Sequence, residues 1–241
     1  MKKIGITGAA GNIGTTLKEG LCAEYALTLY DIRETGQPKN GKFVKVDCGD
    51  QKGLAGVFDG LDALIHLAGN PRPDALPSAT LRNNFVATSY VFEEARKAGV
   101  KRIVFASSNF YHQGSIMEAL EGKSRRLITL DTPPTPRCLY ADSKVFAENV
   151  GRHLVHLGMQ FVALRIGWTV PEDNPEPYAG DYMRAVFCSK RDLTEAFRRA
   201  LEVKTDFMAA FAVSNNSRGV FDLGETKKKL GFVPQDNAEN Y

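Results

Sequence analysis

The stretch KIGITGAAGNIG, residues 3–14, decides how the rest of the chain is read. A short apolar run through Ile4 and Ile6 suits a buried strand, and it ends at Thr7 before three glycines spaced three apart, Gly8, Gly11 and Gly14. That is a strand, a glycine turn and a helix start. The spacing gives each glycine a separate role, with Gly8 permitting a tight turn, Gly11 close backbone approach to a pyrophosphate, and Gly14 close packing of helix on strand. Asn12 and Ile13 then stand in the helix's first turn, whose unpaired N–H groups receive phosphate. Glycine also marks plain turns, so the second strand carries weight. The run ALTLY, residues 26–30, ends in Asp31, 17 residues past Gly14. A carboxylate at that tip accepts hydrogen bonds from an adenosine ribose and disfavours a 2′-phosphate, which argues for NAD over NADP. Ile32 and Arg33 follow, and Arg33 is the neighbour able to accommodate such a phosphate.

The 241 residues suffice for one large core near the upper size of a single domain. The expected organisation is a dinucleotide-binding part over 1–170 and a small substrate-binding C-terminal part over 171–241 that is not an independent domain. With 43% apolar and 24% charged residues, the composition is globular and excludes a disordered or fibrous chain. The net charge of +3 is small, and the one basic triplet, Lys227-Lys228-Lys229, reads as a solvated face of a terminal helix, so no nucleic-acid partner is expected. No apolar run reaches 18 residues, so no membrane span is expected. The N-terminal apolar run breaks at Gly5 and enters the glycine turn, which argues against a signal peptide. Cys22, Cys48, Cys138 and Cys188 show neither close pairing nor metal spacing; reduced thiols in a cytoplasm are expected. His153 and His156 share a helix face but lack a third ligand, so no metal is expected.

Strand patterns at 3–7, 26–30, 43–46, 63–67, 102–107 and 161–166 alternate with helical patterns at 12–21, 51–57, 78–98 and 140–157. Near-continuous apolar strands separated by crossover helices predict an α/β fold, a doubly wound Rossmann sheet of parallel strands covered on both faces. Its ligand crevice lies at the carboxyl ends of the strands. A helix near 190–203, a strand near 209–213 and a helix near 223–230 follow. Two segments break the regularity. Residues 110–136 form a long connection with a short helix near 116–121, and 171–181, rich in proline, suit a lid or substrate loop.

Unusual residues gather at those carboxyl ends. Asp47-Cys48 follows the third strand, where the aspartate either receives an adenine amino group or caps the next helix. His66-Leu67-Ala68-Gly69 closes the fourth, with small residues that let the backbone lie against a cofactor. Tyr140 and Lys144 stand four apart on one helix face. Beside a positively charged nicotinamide, the lysine ammonium favours the phenolate and makes Tyr140 a base near neutral pH. Ser107-Ser108-Asn109 ends the fifth strand, where a hydroxyl can hold a substrate oxygen.

The chain resembles an extended short-chain dehydrogenase/reductase of the NAD-dependent epimerase/dehydratase superfamily. TGAAGNIG at 7–14, Asp31, HLAG at 66–69, Asn84, FASSN at 105–109, YADSK at 140–144 and LRIGW at 164–168 carry the resemblance, in the right order over residues 1–170. It implies an NAD-dependent oxidoreductase acting on CH–OH, with Ser108, Tyr140 and Lys144 as catalytic triad and Asn84 supporting a proton relay. Gly8, Gly11, Asn12, Ile13, Gly14, Asp31, Ile32, Arg33, Asp47, Cys48, Leu67, Ala68, Gly69, Asn84, Tyr140, Lys144 and Ile166 are the implied cofactor contacts. Within the superfamily, RIVFASSN at 102–109, LRIGWTVPEDN at 164–174 and GFVPQDNAE at 231–239 are similar to uronate dehydrogenases and archaeal NAD-dependent glucose-6-phosphate dehydrogenases. Those enzymes oxidise the C1 hydroxyl of a cyclic sugar to a lactone.

By that likeness Asn70, Arg72, Ser108, Asn109, Phe110, Trp168 and Arg184 meet a small sugar or sugar acid. Phe110 stands where uronate dehydrogenases usually have histidine, and Trp168 replaces a serine. Arg72, or Lys123, Arg125 and Arg126, are candidates for binding a sugar phosphate. A nucleotide-sugar epimerase or dehydratase is the enzymatic alternative, although only 241 − 166 = 75 residues follow Ile166 to hold a nucleotide. A non-catalytic NAD-sensing regulator is the alternative of another class. The resemblance also implies a homodimer or larger homo-oligomer, paired through the helices bearing Asn84 and Tyr140.

Overall fold

The computed structural model describes residues 1–178 and 180–241. Ala179, inside the expected 171–181 loop, lies outside the described residues. In chain order come β1 (Lys3–Thr7), α1 (Asn12–Leu21), β2 (Ala26–Asp31), β3 (Gly41–Lys45) and β4 (Ala63–His66). One long helix follows in three parts: α2 (Pro77–Thr80), a π-helical stretch Leu81–Val86, and α3 (Ala87–Lys97). Then come β5 (Arg102–Ser108), a 3-10 turn Asn109–His112, α4 (Gln113–Leu120), α5 (Leu139–His156) and β6 (Gln160–Ile166). The chain finishes with α6 (Asp181–Val186), α7 (Lys190–Glu202), β7 (Phe207–Ala212) and α8 (Gly224–Leu230).

Among the described residues, seven strands form one parallel sheet in the order β3-β2-β1-β4-β5-β6-β7. The chain runs outward from β1 to β3, then returns to lay β4 against the other side of β1. That reversal opens a crevice beyond the strand ends, where open α/β sheets bind ligands.

Alternate residues of the strands feed two cores. Ile4, Ile6, Leu27, Leu29 and Val104 pack with Leu17, Leu21 and Phe197 of α1 and α7. Leu64, Ile103, Phe105 and Phe161 pack with Val91, Phe92 and Leu154 of α3 and α5. Each such side chain, fully buried, contributes about 1.5–3 kcal/mol relative to exposure. Burial on both faces is why the strands read as continuous apolar runs rather than alternating ones. A third cluster, Ile116, Ile128, Phe211, Val220 and Phe221, seats the long 110–136 connection against β7. The segment 171–241 supplies both a strand of the sheet, β7, and a helix of its cover, α7.

The helix expected at 51–57 is absent. Residues 51–60 make successive turns instead, because Gly56 (φ 71°) and Gly60 (φ 75°) adopt the left-handed region while Leu54 and Phe58 anchor the segment in the core. The helix expected at 78–98 exists but is interrupted by its π stretch, and other boundaries move by a few residues, β3 and β7 starting two earlier than expected. No described helix is long and apolar enough to cross a membrane.

Candidate active site

A cavity of ≈ 1030 Å³ follows the carboxyl edge of the sheet from the glycine turn to the loop after β6. At one end the turn after β1 has the shape a dinucleotide needs. Gly8 has φ 71°, and a Cβ there would fall 2.7 Å from the Ala68 nitrogen. A Cβ on Gly14 would fall 2.6 Å from the Gly8 carbonyl oxygen, so the start of α1 closes directly on the turn. Gly11 differs: its missing side chain meets only the Gly8 oxygen, at 3.3 Å, and the residue lines the cavity. The protein constrains position 11 less than positions 8 and 14, and the open side of Gly11 faces the cavity beside the N-terminus of α1, where a helix can receive an anion. Asn12 donates from Nδ2 to Thr169 Oγ1 at 3.1 Å, tying this turn to the loop after β6.

Asp31 ends β2 almost wholly buried. Its carboxylate accepts from the Ala10 and Arg33 backbone N–H groups, each at 2.9 Å, so its position is fixed from both sides. The Arg33 guanidinium bonds the Ala10 carbonyl at 3.1 Å and lies 3.8 Å from Asp31. The Asp47 carboxylate accepts from Gly49 N at 2.8 Å and pairs with Arg82 at 2.7 Å, and that arginine's hydrogen bond holds it below the usual carboxylate range. Asp47 thus caps a turn rather than a helix, and it also faces the cavity.

The chemistry-bearing residues meet at the middle. Ser108 closes β5, and its Oγ accepts from Phe110 N at 3.1 Å, which leaves its own hydrogen free to donate. Tyr140 and Lys144 come from the first turns of α5 and face the same cavity. The Lys144 Nζ donates to the Ala106 carbonyl at 2.9 Å and lies 5.3 Å from the Tyr140 ring centre. Burial pushes Lys144 down to about 8, with Glu148 opposing. The expected lowering of the Tyr140 phenol is not produced by the protein's own groups: burial raises it above its ordinary value and outweighs the Ser108 hydroxyl, which lowers it.

A buried chain of polar groups fixes these elements to one another. Ser107 Oγ donates to Glu148 at 2.6 Å, Glu148 pairs with Arg165 at 2.9 Å, and Arg165 meets His112 Nε2 at 2.9 Å. Glu148 and Arg165 are 1% and 2% exposed, so the pair is dry and each charge depends on the other. His112, pushed down to about 3 by burial and then by Arg165, stays neutral. His66, also pushed down to about 3 by burial, bridges Thr7 at 2.7 Å and Thr88 at 3.1 Å beneath the crevice floor.

The far end is aromatic. Phe110 lies edge-on to Tyr140 (5.8 Å between ring centres) and to Tyr182 (6.2 Å), and Trp168 lies 6.2 Å from Tyr182. Asn109 donates to the Ile166 carbonyl at 3.0 Å and accepts from the Tyr182 hydroxyl.

All the cofactor positions expected from sequence line this cavity except Asn84, and of the sugar positions Asn70, Ser108, Asn109, Phe110 and Trp168 do. Three expectations need correction. Asn84 is not on the wall; its amide accepts from Asn70 N at 2.7 Å and donates to Asn70 O and Ser143 Oγ, so it clamps the segment after β4 to α5. Arg184 does not reach the sugar end, because Glu176 (2.7 Å) and Glu239 (3.0 Å) take its guanidinium on the other side of α6. Arg72 lies exposed off the wall, as do Arg125, Arg126 and Lys123, the last paired with Glu121 at 2.7 Å.

Sequence reasoning missed Tyr182, Thr169 and Arg82, which line the cavity. Thr169 follows a strand end, a signal that was available. Tyr182 sits in an aperiodic segment that offered none.

The chain matches the sequence profile described as the NAD dependent epimerase/dehydratase family over residues 4–204. It is 32% identical to L-arabinose 1-dehydrogenase (NAD(P)(+)) of Haloferax volcanii over 99% of this chain and 98% of that one. NAD-dependent glucose-6-phosphate dehydrogenase of the same organism is 29% identical over 98% of this chain and 94% of its own. Among solved structures, a mutant uronate dehydrogenase from Agrobacterium tumefaciens complexed with NAD superposes with a TM-score of 0.85 at 28% identity, over 100% of this chain and 87% of that one.

Proposed function

Because the chain belongs to the NAD-dependent epimerase/dehydratase family, we propose that it is an NAD-dependent sugar dehydrogenase that oxidises the C1 hydroxyl of a small cyclic sugar to a lactone. The observation that carries this reading is the convergence of Ser108, Tyr140 and Lys144 on one cavity whose other end is the glycine turn and Asp31. When bound, NAD supplies the hydride acceptor and a positively charged ring. The Ser108 hydroxyl donates to the substrate C1 oxygen and holds it. The Tyr140 oxygen, as phenolate, takes the C1 hydroxyl proton. Lys144, charged below about 8 and anchored by the Ala106 carbonyl 5.3 Å from the Tyr140 ring centre, would favour that phenolate together with the positively charged ring of bound NAD, which offsets the burial that raises the phenol in the protein alone. Asn84 acts as a positioning residue through Asn70 and Ser143. Residues 1–170 thus carry cofactor and chemistry, while 171–241 supplies the sugar wall through Pro171 and Tyr182 as well as completing the sheet.

The relatives named above, dehydrogenases of an aldose, a sugar phosphate and a uronate, support this reading. The test is absorbance of reduced cofactor with NAD and a panel of aldoses, uronates and sugar phosphates. Stoichiometric NADH accumulation is expected; sugar conversion without net NADH would assign an epimerase instead.

The helices bearing Asn84 and Tyr140 form the homodimer contact. Leu81 and Val86 on the first of them are 47% and 40% exposed, which suits burial against a second copy. Light scattering is expected to give twice the chain mass of 26.5 kDa. The free thiols at Cys22, Cys48, Cys138 and Cys188 suit a reducing compartment, the cytoplasm.

A further inference from the structure

Among the described residues, no cationic side chain lines the sugar end of the cavity; Arg72, between the lining Pro71 and Pro73, is exposed off its wall. Three basic residues line the whole cavity, and two of them, Arg33 and Arg82, lie at the adenosine end beside Asp31 and Asp47. The third, Lys144, is buried under the Tyr140 ring and spends a hydrogen on the Ala106 carbonyl. Around the expected sugar position stand Phe110, Trp168 and Tyr182, with the amides of Asn70 and Asn109. Arg184, two residues beyond Tyr182 and so on the opposite face of α6, is neutralised by Glu176 and Glu239.

From this arrangement we infer that the site takes an uncharged sugar, and that Tyr182 is a specificity-determining residue that fills the place where a carboxylate or phosphate would need an arginine. The inference rests on the dehydrogenase reading and narrows its substrate class. A charged substituent entering this wall loses its water and meets no opposite charge. An aldose loses nothing comparable: its apolar C–H faces lie on the rings, and its hydroxyls reach the two amides. Asn109 retains one hydrogen and one acceptor lone pair beyond its bonds to Ile166 and Tyr182. Burial also raises the Tyr182 phenol, which keeps it neutral and donating.

The experiment compares sugars that differ only at C6, with NAD saturating: D-galactose against D-galacturonate, and D-glucose against D-glucuronate and glucose 6-phosphate. The neutral member is expected to show kcat/KM about 10²-fold higher than its charged partner. Equal or reversed ratios overturn the inference while leaving the dehydrogenase reading intact. The Tyr182→Arg variant is expected to narrow the galactose-to-galacturonate ratio at least about tenfold; an unchanged ratio removes Tyr182 from the specificity assignment. If no sugar yields NADH, the dehydrogenase reading fails, and calorimetric titration of the same sugars into the NAD-saturated protein decides the charge preference alone. Binding of only the neutral members supports it; binding of a charged member, or of none, overturns it.

Discussion

At the phosphate end of the cavity, Gly8, Gly11, Gly14 and Asp31 come from one run of chain, residues 3–31, and act largely through backbone geometry. At the sugar end, Phe110, Tyr140, Trp168 and Tyr182 come from four separate segments and act through their side chains. The first end is specified by local conformation, where the wrong atom at one position blocks the turn. The second is specified by how helices and loops are docked, where a substitution changes what is recognised and leaves the turn intact.

The largest effect expected is the loss of turnover in Tyr140→Phe, by about 10³-fold or more, with NAD affinity unchanged in a calorimetric titration. Weakened NAD binding of similar size would break the separation between the two ends. Gly8→Ala should do the reverse. With φ 71° and a Cβ 2.7 Å from the Ala68 nitrogen, it should cost about 1–3 kcal/mol of stability and most of the NAD affinity. Thermal unfolding with and without NAD separates the two losses; a variant that binds NAD normally would show that the turn is not the phosphate site.

Asp31→Ser sharpens the same end. Removing the carboxylate beside Arg33 should shift kcat/KM toward NADP over NAD by at least about tenfold, about 1.4 kcal/mol. The smallest effect concerns stability at the middle of the cavity. Burial brings Lys144 from an ordinary 10.5 to about 8. The folded state therefore holds that proton less tightly than the unfolded state, and stability rises as pH climbs from about 8 to about 10.5. Lys144→Met should accordingly raise Tm by about 2–4 °C at pH 7 and lose the gain above pH 10.5. An unchanged Tm at pH 7 would mean that the ammonium is not carried at a cost.

The glycine turn and the acid beside it were legible in the sequence because glycine spacing and an acid at a strand tip are local signals. Tyr140 and Lys144 were legible for a similar reason, since four residues on a helix fix a shared face. Tyr182 was not. The segment before it has no period, and only the docking of α6 turns Tyr182 to the cavity and Arg184 to Glu176. The family resemblance placed an arginine of the 171–184 stretch at the sugar, and Arg184 is the arginine that stretch contains. Residues 51–57 misled in another way: their apolar spacing suits a helix, but Gly56 and Gly60 in left-handed conformation make turns bury Leu54 and Phe58 instead.

The π stretch Leu81–Val86 has a consequence for chain length. A π turn amounts to one residue inserted into an α-helix, and one residue is worth about 100° of rotation. Asn84 can therefore point at Asn70 and Ser143 while Ala87, Val91 and Ala95 keep the phase that lays them on the sheet. Removing a single residue between 81 and 86 would leave a helix of nearly the same length but throw either the amide clamp or the apolar row out of phase. A deletion after Ala95 would leave the clamp and the row in phase with each other, so the register of this helix is more sensitive at its waist than at its tip.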